Sequence, residues 1–155
     1  MNSDQFKRIL ELTDIGPEYV SVPTIENLDY ICKKMLVSFH YSTLQIQDDS
    51  AGSTKLNWSI IYDRLVEKRR GGLCYERNEL LFQFIKFIGY EPHRIEARLF
   101  ESNGQLTPRH GHYSTTINYI LDNTKFQDHM AVVVRMMNND KQQWYLCDCG
   151  WGGIW

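Results

Sequence analysis

Arg70-Gly71-Gly72-Leu73-Cys74-Tyr75-Glu76-Arg77-Asn78 is the stretch on which the fold turns. Its two glycines permit a tight turn with positive φ and a close backbone approach. Directly after it, Leu80, Leu81, Phe84, Ile85 and Ile88 recur at three- and four-residue intervals. That is the period of a helix, with Gly89 as a fitting stop. Cys74 therefore falls in the first turn of a helix, where exposed N–H groups and the positive dipole end favour an anion. A thiolate is stabilised in such a position, which makes Cys74 a candidate nucleophile. The plainer reading is a small buried cysteine, as most free cysteines are. The glycine turn and the polar neighbours Tyr75, Glu76, Arg77 and Asn78 favour function.

Toward the N-terminus, Asp4 to Leu12 reads as a short helix, broken by Gly16-Pro17. Thr24 is a suitable N-cap for an amphipathic helix whose stripe is Ile25, Leu28, Ile31, Met35 and Leu36. Gln45 to Lys55 is polar and reads as a surface loop, and Trp58 to Val66 as a further helix. Residues 1–90 are thus expected to form a small helical bundle carrying Cys74.

After Pro92 the period changes to two. His93 to Phe100 reads as a strand, with Ser102-Asn103-Gly104 as its turn. Thr107 to His112 is polar, Tyr113 to Leu121 is ambiguous, and Asp122 to Asp128 is turn-like. Two clear strands follow, His129 to Met137 and Gln142 to Cys149, joined as an antiparallel hairpin through Asn138 to Lys141. Residues 91–155 are expected to form an antiparallel, barrel-like β domain. The fold class expected is α+β.

Composition narrows the partners. The 155 residues can bury one core, or two small domains that share an interface. With 43% apolar and 23% charged residues, and a net charge of −2, nothing points to nucleic acid or an anionic membrane. No apolar run approaches the roughly 18 residues of a membrane helix, and no N-terminal segment resembles a signal peptide. Cys32, Cys74, Cys147 and Cys149 then read as reduced thiols of a cytoplasmic protein. The Cys147-Asp148-Cys149 spacing is not that of a zinc knuckle, so no metal is expected.

The hairpin carries the second chemical clue. If Asn139-Asp140 is a two-residue loop, Asn138 pairs with Lys141, Asp148 lies opposite Ala131, and His129 is its diagonal neighbour on one face. Diagonal Cα atoms in such a ladder are about 7–8 Å apart, within reach of a His–Asp hydrogen bond. A four-residue loop puts the two directly opposite and keeps them facing. Only a one-residue slip would part them. Both faces of the hairpin are apolar, which predicts two largely buried strands, and an aspartate buried there needs a partner. The pair could merely satisfy itself in the core; the third member, Cys74, favours function. His40, His93, His110 and His112 are rivals for the base, but none opens an apolar strand opposite an acid. Cysteine, histidine and aspartate in this order fit a thiol-based acyl-transfer triad, with backbone N–H groups near Cys74 as the oxyanion hole.

These residues resemble the arylamine N-acetyltransferase family. Its Arg-Gly-Gly-x-Cys-x-Glu-x-Asn motif is matched by Arg70 to Asn78, its His-Met strand opening by His129-Met130, and its Asp-x-Gly-aromatic-Gly-Gly by Asp148 to Gly153. Pro23 to Leu28 also looks like a helix opening of the family's first domain. The resemblance implies a helical bundle followed by a β-barrel, together a cysteine-proteinase-like catalytic core. It implies a ping-pong reaction in which Cys74 takes acetyl from acetyl-CoA and passes it to an arylamine, arylhydroxylamine or hydrazine, acceptors met in xenobiotic metabolism. Trp151 matches an aromatic beside the acceptor pocket. The chain departs from the family at Ser38 to Leu44, where Pro-Phe-Glu-Asn-Leu is usual, and in a longer approach to the histidine. Family members also continue into a third, α/β domain that helps bind CoA. A chain ending at Trp155 is therefore expected to be a fragment, a frameshifted product or a reduced relative, with an open sheet edge that invites self-association. Two other readings stand beside this one. They are a different thiol-triad enzyme, such as a peptidase or transglutaminase-like hydrolase, and a non-catalytic domain acting by protein binding.

Overall fold

The computed structural model describes residues 1–43, 57–97, 129–138 and 140–150. The expected loop at 45–55, the turn at 102–104, the segments at 107–128 and Trp151 lie outside them. Among the described residues the fold is α+β, with helices α1 (Ser3–Thr13), α2 (Ile25–Ser38), α3 (Trp58–Tyr62) and α4 (Cys74–Phe87) preceding strands β1 (Glu91–Ala97), β2 (His129–Asn138) and β3 (Lys141–Cys147).

Local chemistry explains the helix starts. Asn2 and Gln5 cap α1 reciprocally, and Thr24 Oγ1 accepts the Asn27 N–H at 3.1 Å to open α2. Asn57 caps α3, which continues without a break into a π-helical turn, Asp63–Glu67. At the start of α4 the N-cap is Leu73, which offers no side-chain acceptor. Glu76 supplies half of a capping box by accepting the Leu73 N–H at 3.0 Å, and its other oxygen pairs with Arg64. The preceding turn is the one the glycines predict. Gly71 has φ +70°, and a Cβ there would stand 2.8 Å from the His40 carbonyl oxygen. This close approach lets Tyr41 pair with Gly72 beside the helix start, with Ser42 N–H donating to the Gly72 carbonyl at 3.0 Å.

Helix α4 is the axis of the molecule. Leu80, Leu81, Phe84 and Ile85 are fully buried and join Ile9 of α1, Ile31 and Met35 of α2 and Ile61 of α3 in one core. Burial of each such side chain contributes about 2 kcal/mol. Phe6 stacks on Phe84 at 5.0 Å between ring centroids. On its other side α4 packs against the sheet, where Val132, Val134 and Cys147 complete the same core. Arg94 of β1 reaches back to clamp buried Glu79 through two hydrogen bonds of 2.6 and 2.8 Å.

The sheet is antiparallel, in the order β1-β2-β3, and open among the described residues. Its register is the one the two-residue loop requires: Asn138 pairs with Lys141 and Val132 with Cys147. Asp140 takes the left-handed conformation at φ 60°. Strand β1 begins at Glu91, earlier than the period alone suggests, and includes Pro92. An edge strand tolerates proline because the missing N–H can face away from the partner. The expectation that both hairpin strands are buried needs correction. Trp144 is 54% and Leu146 68% exposed. The face of Val132, Val134 and Cys147 packs into the core with α4, whereas Trp144 and Leu146 lie on the other face; apolar composition cannot say which face another element covers.

Candidate active site

Three element ends meet at one corner. Cys74 is the first residue of α4, His129 the first of β2, and Asp148 directly follows the last residue of β3. The Asp148–His129 pair anticipated from register is made: His129 Nε2 lies 2.7 Å from Asp148 Oδ2. An ionised carboxylate only accepts, so Nε2 is the donor and carries the proton. That leaves Nδ1 as the ring nitrogen available to the Cys74 thiol, which also interacts with the imidazole. His129 is 3% exposed. The hydrogen bond to Asp148 and then that to Cys74 raise its pKa from 6.5 to about 9, against the opposing effect of burial. Burial pulls Asp148 upward, but hydrogen bonds from His129, Asn78 and the Gly150 N–H outweigh it and hold the carboxyl below its ordinary range. The two partners thus agree: the charged pair is the favoured state near neutrality.

Gly150 shows how tightly the corner is packed. A Cβ on it would fall 2.9 Å from both Cα and Cβ of Cys74 and 2.5 Å from Asn78 Nδ2. No side chain fits there. The glycine of the Asp148-Cys149-Gly150 run is thus explained by close approach to the nucleophile's own helix.

Two residues went unassigned in the sequence. Asn78 is fully buried; its Nδ2 donates to the Met130 carbonyl and to Asp148 Oδ1 at 2.9 Å, and its Oδ1 accepts the Cys149 N–H at 2.8 Å. Its spacing of four from Cys74 puts both on one helix face, which was the available signal. Arg77, 3% exposed, donates to the carbonyls of Leu36 at 3.0 Å and Gly150 at 3.4 Å. Burial lowers its pKa, while Cys149, Asp148 and Cys74 pull the other way.

The rival histidines that the structure describes stand elsewhere. His40 packs on Gly71, and His93 lies edge-on to Trp144 at 5.3 Å. His110, His112 and Trp151 fall outside the described residues. Cys147 and Cys149 are buried with Cys32 alongside, Cys149 Sγ being 3.4 Å from the Cys32 carbonyl oxygen. Among the described residues no group of His, Cys, Asp and Glu is arranged to hold a metal ion, and no helix is long and apolar enough to cross a membrane.

Comparison with known proteins places the chain in a family. Residues 24–154 match the family model described as N-acetyltransferase. The chain is 29% identical over 112 residues to the pineal gland arylamine N-acetyltransferase isozyme NAT-3 of Gallus gallus, covering 72% of this chain and 36% of that protein. It is 27% identical over 142 residues to arylamine N-acetyltransferase 2 of Rattus norvegicus, covering 92% of this chain and 36% of that one. The chain therefore spans little more than a third of these relatives. The arylamine N-acetyltransferase structure from Salmonella typhimurium superposes with a TM-score of 0.71 at 21% identity, over 99% of this chain and 47% of that one. That from Bacillus cereus, described as having a Cys-His-Glu catalytic triad, gives a TM-score of 0.66 at 18% identity, over 96% of this chain and 49% of that one. With the family model matching most of its length, the chain belongs to the arylamine N-acetyltransferase family.

Proposed function

We propose that this chain carries the acyl-transfer centre of an acetyl-CoA-dependent arylamine N-acetyltransferase, with Cys74 as nucleophile, His129 as proton carrier and Asp148 as its anchor. The observation that supports this best is the 2.7 Å His129–Asp148 hydrogen bond at the start of the helix that bears Cys74. A buried imidazole held charged to about pH 9 by its hydrogen bonds to Asp148 and Cys74 suits acid–base work on a sulfur nucleophile.

In the first half-reaction Cys74 Sγ attacks the thioester carbonyl, the new C–S bond forms, and the bond to the CoA sulfur breaks. His129 gives its proton to the departing CoA thiolate. In the second, the acceptor nitrogen attacks the acetyl-cysteine, His129 takes the proton from that nitrogen, and Cys74 leaves as thiolate. First-turn N–H groups of α4 supply the oxyanion site in both tetrahedral intermediates. Arylamines, arylhydroxylamines and hydrazines are the acceptors this family reading gives, with Trp151 beside the acceptor. The same reading divides the chain near residue 90, into a cysteine-bearing helical part and a barrel-like β part within a cysteine-proteinase-like core, and makes it a cytoplasmic protein.

Incubation with acetyl-CoA, followed by peptide mass spectrometry, tests the reading. One acetyl group on Cys74, discharged on adding an arylamine, is expected. An unmodified Cys74 after prolonged incubation, or acylation by peptide esters with indifference to acetyl-CoA, refutes it.

A further inference from the structure

Asn78 ends the Arg70–Asn78 motif, yet the acyl-transfer steps make no use of it. We infer that Asn78 is a positioning residue: its carboxamide takes the place of the missing β2–β3 ladder bond and so fixes Asp148 against His129 on the helix that presents Cys74. The inference rests on the acyl-transfer reading of the site and adds to it the part that holds the site's geometry.

The β2–β3 ladder stops at the pair Val132–Cys147. Two residues further along each strand the partners would be Met130 and Cys149. Those two backbones are not joined to each other but to one side chain. Asn78 Nδ2 donates to the Met130 carbonyl, and Asn78 Oδ1 accepts from the Cys149 N–H at 2.8 Å. The carboxamide thus stands between the strands as an inserted peptide group would. Its second Nδ2 proton goes to Asp148 Oδ1 at 2.9 Å. Both donor protons and one acceptor lone pair of the amide are used, and its orientation is dictated by chemistry: both partners of Nδ2 only accept, and the partner of Oδ1 only donates.

The consequence for Asp148 is a fixed carboxylate plane. Oδ1 is held by Asn78 and by the Gly150 N–H at 2.9 Å, so Oδ2 is left to His129. Because Asn78 sits one turn after Cys74 on α4, the same side chain ties the nucleophile's helix to both strands that supply its partners. A buried amide with three satisfied bonds is costly to move, which is what a supporting residue of a reactive site requires.

The test uses the whole chain and two readouts: the pH midpoint of the His129 ring by NMR, and the rate at which iodoacetamide alkylates Cys74, located by peptide mass spectrometry. A raised His129 midpoint in the parent chain checks the triad by itself; an ordinary midpoint there sinks the triad before Asn78 is touched. Given a raised midpoint, Asn78→Ala is expected to lower it by about one pH unit or more and to slow alkylation by roughly tenfold. In an Asp148→Ala background the same substitution is expected to leave the His129 midpoint where Asp148→Ala has put it, because Asn78 acts on that midpoint through the carboxylate. Asn78→Leu fills a similar volume without the hydrogen bonds and carries the same expectation where the alanine chain does not melt cooperatively. A raised midpoint kept in a folded variant, or midpoint shifts that add in the double variant, overturns the inference. One measurement needs no substitution: the Asn78 Nδ2 proton resonances are expected to follow the His129 titration. Resonances that stay fixed across it overturn the inference as well.

Discussion

The His129–Asp148 pair makes the folding stability of this protein depend on pH in one direction. The perturbation is removal of the titrating ring by His129→Gln. In the folded chain the imidazole pKa is raised from 6.5 to about 9. A raised folded-state value means that the stabilisation is complete below about pH 6.5 and disappears as pH rises through about 9. Each pH unit between the unfolded and folded values corresponds to about 1.36 kcal/mol, so the pair contributes about 3 kcal/mol that is lost across this window. The side chain is 4% exposed, so solvent screening takes little away. The assay is urea denaturation of parent and variant at half-unit steps from pH 6 to 10. Their difference cancels the tyrosines and lysines remote from His129 that titrate in the same range. The parent's advantage at pH 6 is expected to shrink by about 3 kcal/mol at pH 10, a sizeable part of the 5–15 kcal/mol that a domain usually has. A difference independent of pH refutes the reasoning, since the ring would then not be held charged by Asp148 and Cys74. On the acid side the sign reverses. Asp148, held below its ordinary range, loses its contribution as pH falls through that lowered value.

Two further outcomes follow from packing and charge. Gly150→Ala drives a Cβ to 2.9 Å from Cys74 Cα and 2.5 Å from Asn78 Nδ2, and Cys74 Cα belongs to the backbone of a packed helix and cannot step aside. A loss of about 1–3 kcal/mol with sharply slowed Cys74 alkylation is expected, and an alanine chain with the parent's alkylation rate contradicts the close approach. Glu79→Ala removes the carboxylate that Arg94 clamps, but Arg94 is 41% exposed and can return to water. The cost in thermal or urea unfolding is therefore expected to stay near 1–2 kcal/mol, with Cys74 kinetics unchanged, and a larger loss shows that the clamp orders β1 beyond its own bonds.

What the sequence made legible follows from periods that tolerate uncertainty. Side chains alternate along a strand whatever the loop length, so the facing of His129 and Asp148 survived not knowing the turn. The helical start at Cys74 was legible because Gly71 leaves few backbone choices and the apolar residues after it repeat cleanly. Asn78 stayed hidden for a physical reason. Its role depends on where the β2–β3 ladder stops, and no local pattern in Val132 or Cys147 marks that point. A helix asparagine is otherwise indistinguishable from a surface one. The exposure of Trp144 and Leu146 was equally out of reach, because burial depends on what lies across from a face and not on the residues in it.

The facing of Asp148 is in the end decided at the far tip of the hairpin. Side-chain parity is set once, at the turn, and carried unchanged to the site: Asn138 against Lys141 at the tip implies Val132 against Cys147 at the end of the ladder. A slip of one residue would reverse the facing of the side chains along β3 and bring a cysteine toward His129 in place of Asp148. The tip is accordingly built to resist slippage. Asp140 adopts the left-handed conformation that a tight turn requires, and Asn138 Nδ2 donates across the strands to Tyr145 Oη at 3.0 Å. At the other end Asn78 closes the gap that the register leaves between Met130 and Cys149. A hairpin pinned at both ends has one register available to it, and in that register the histidine and the aspartate meet beside the cysteine.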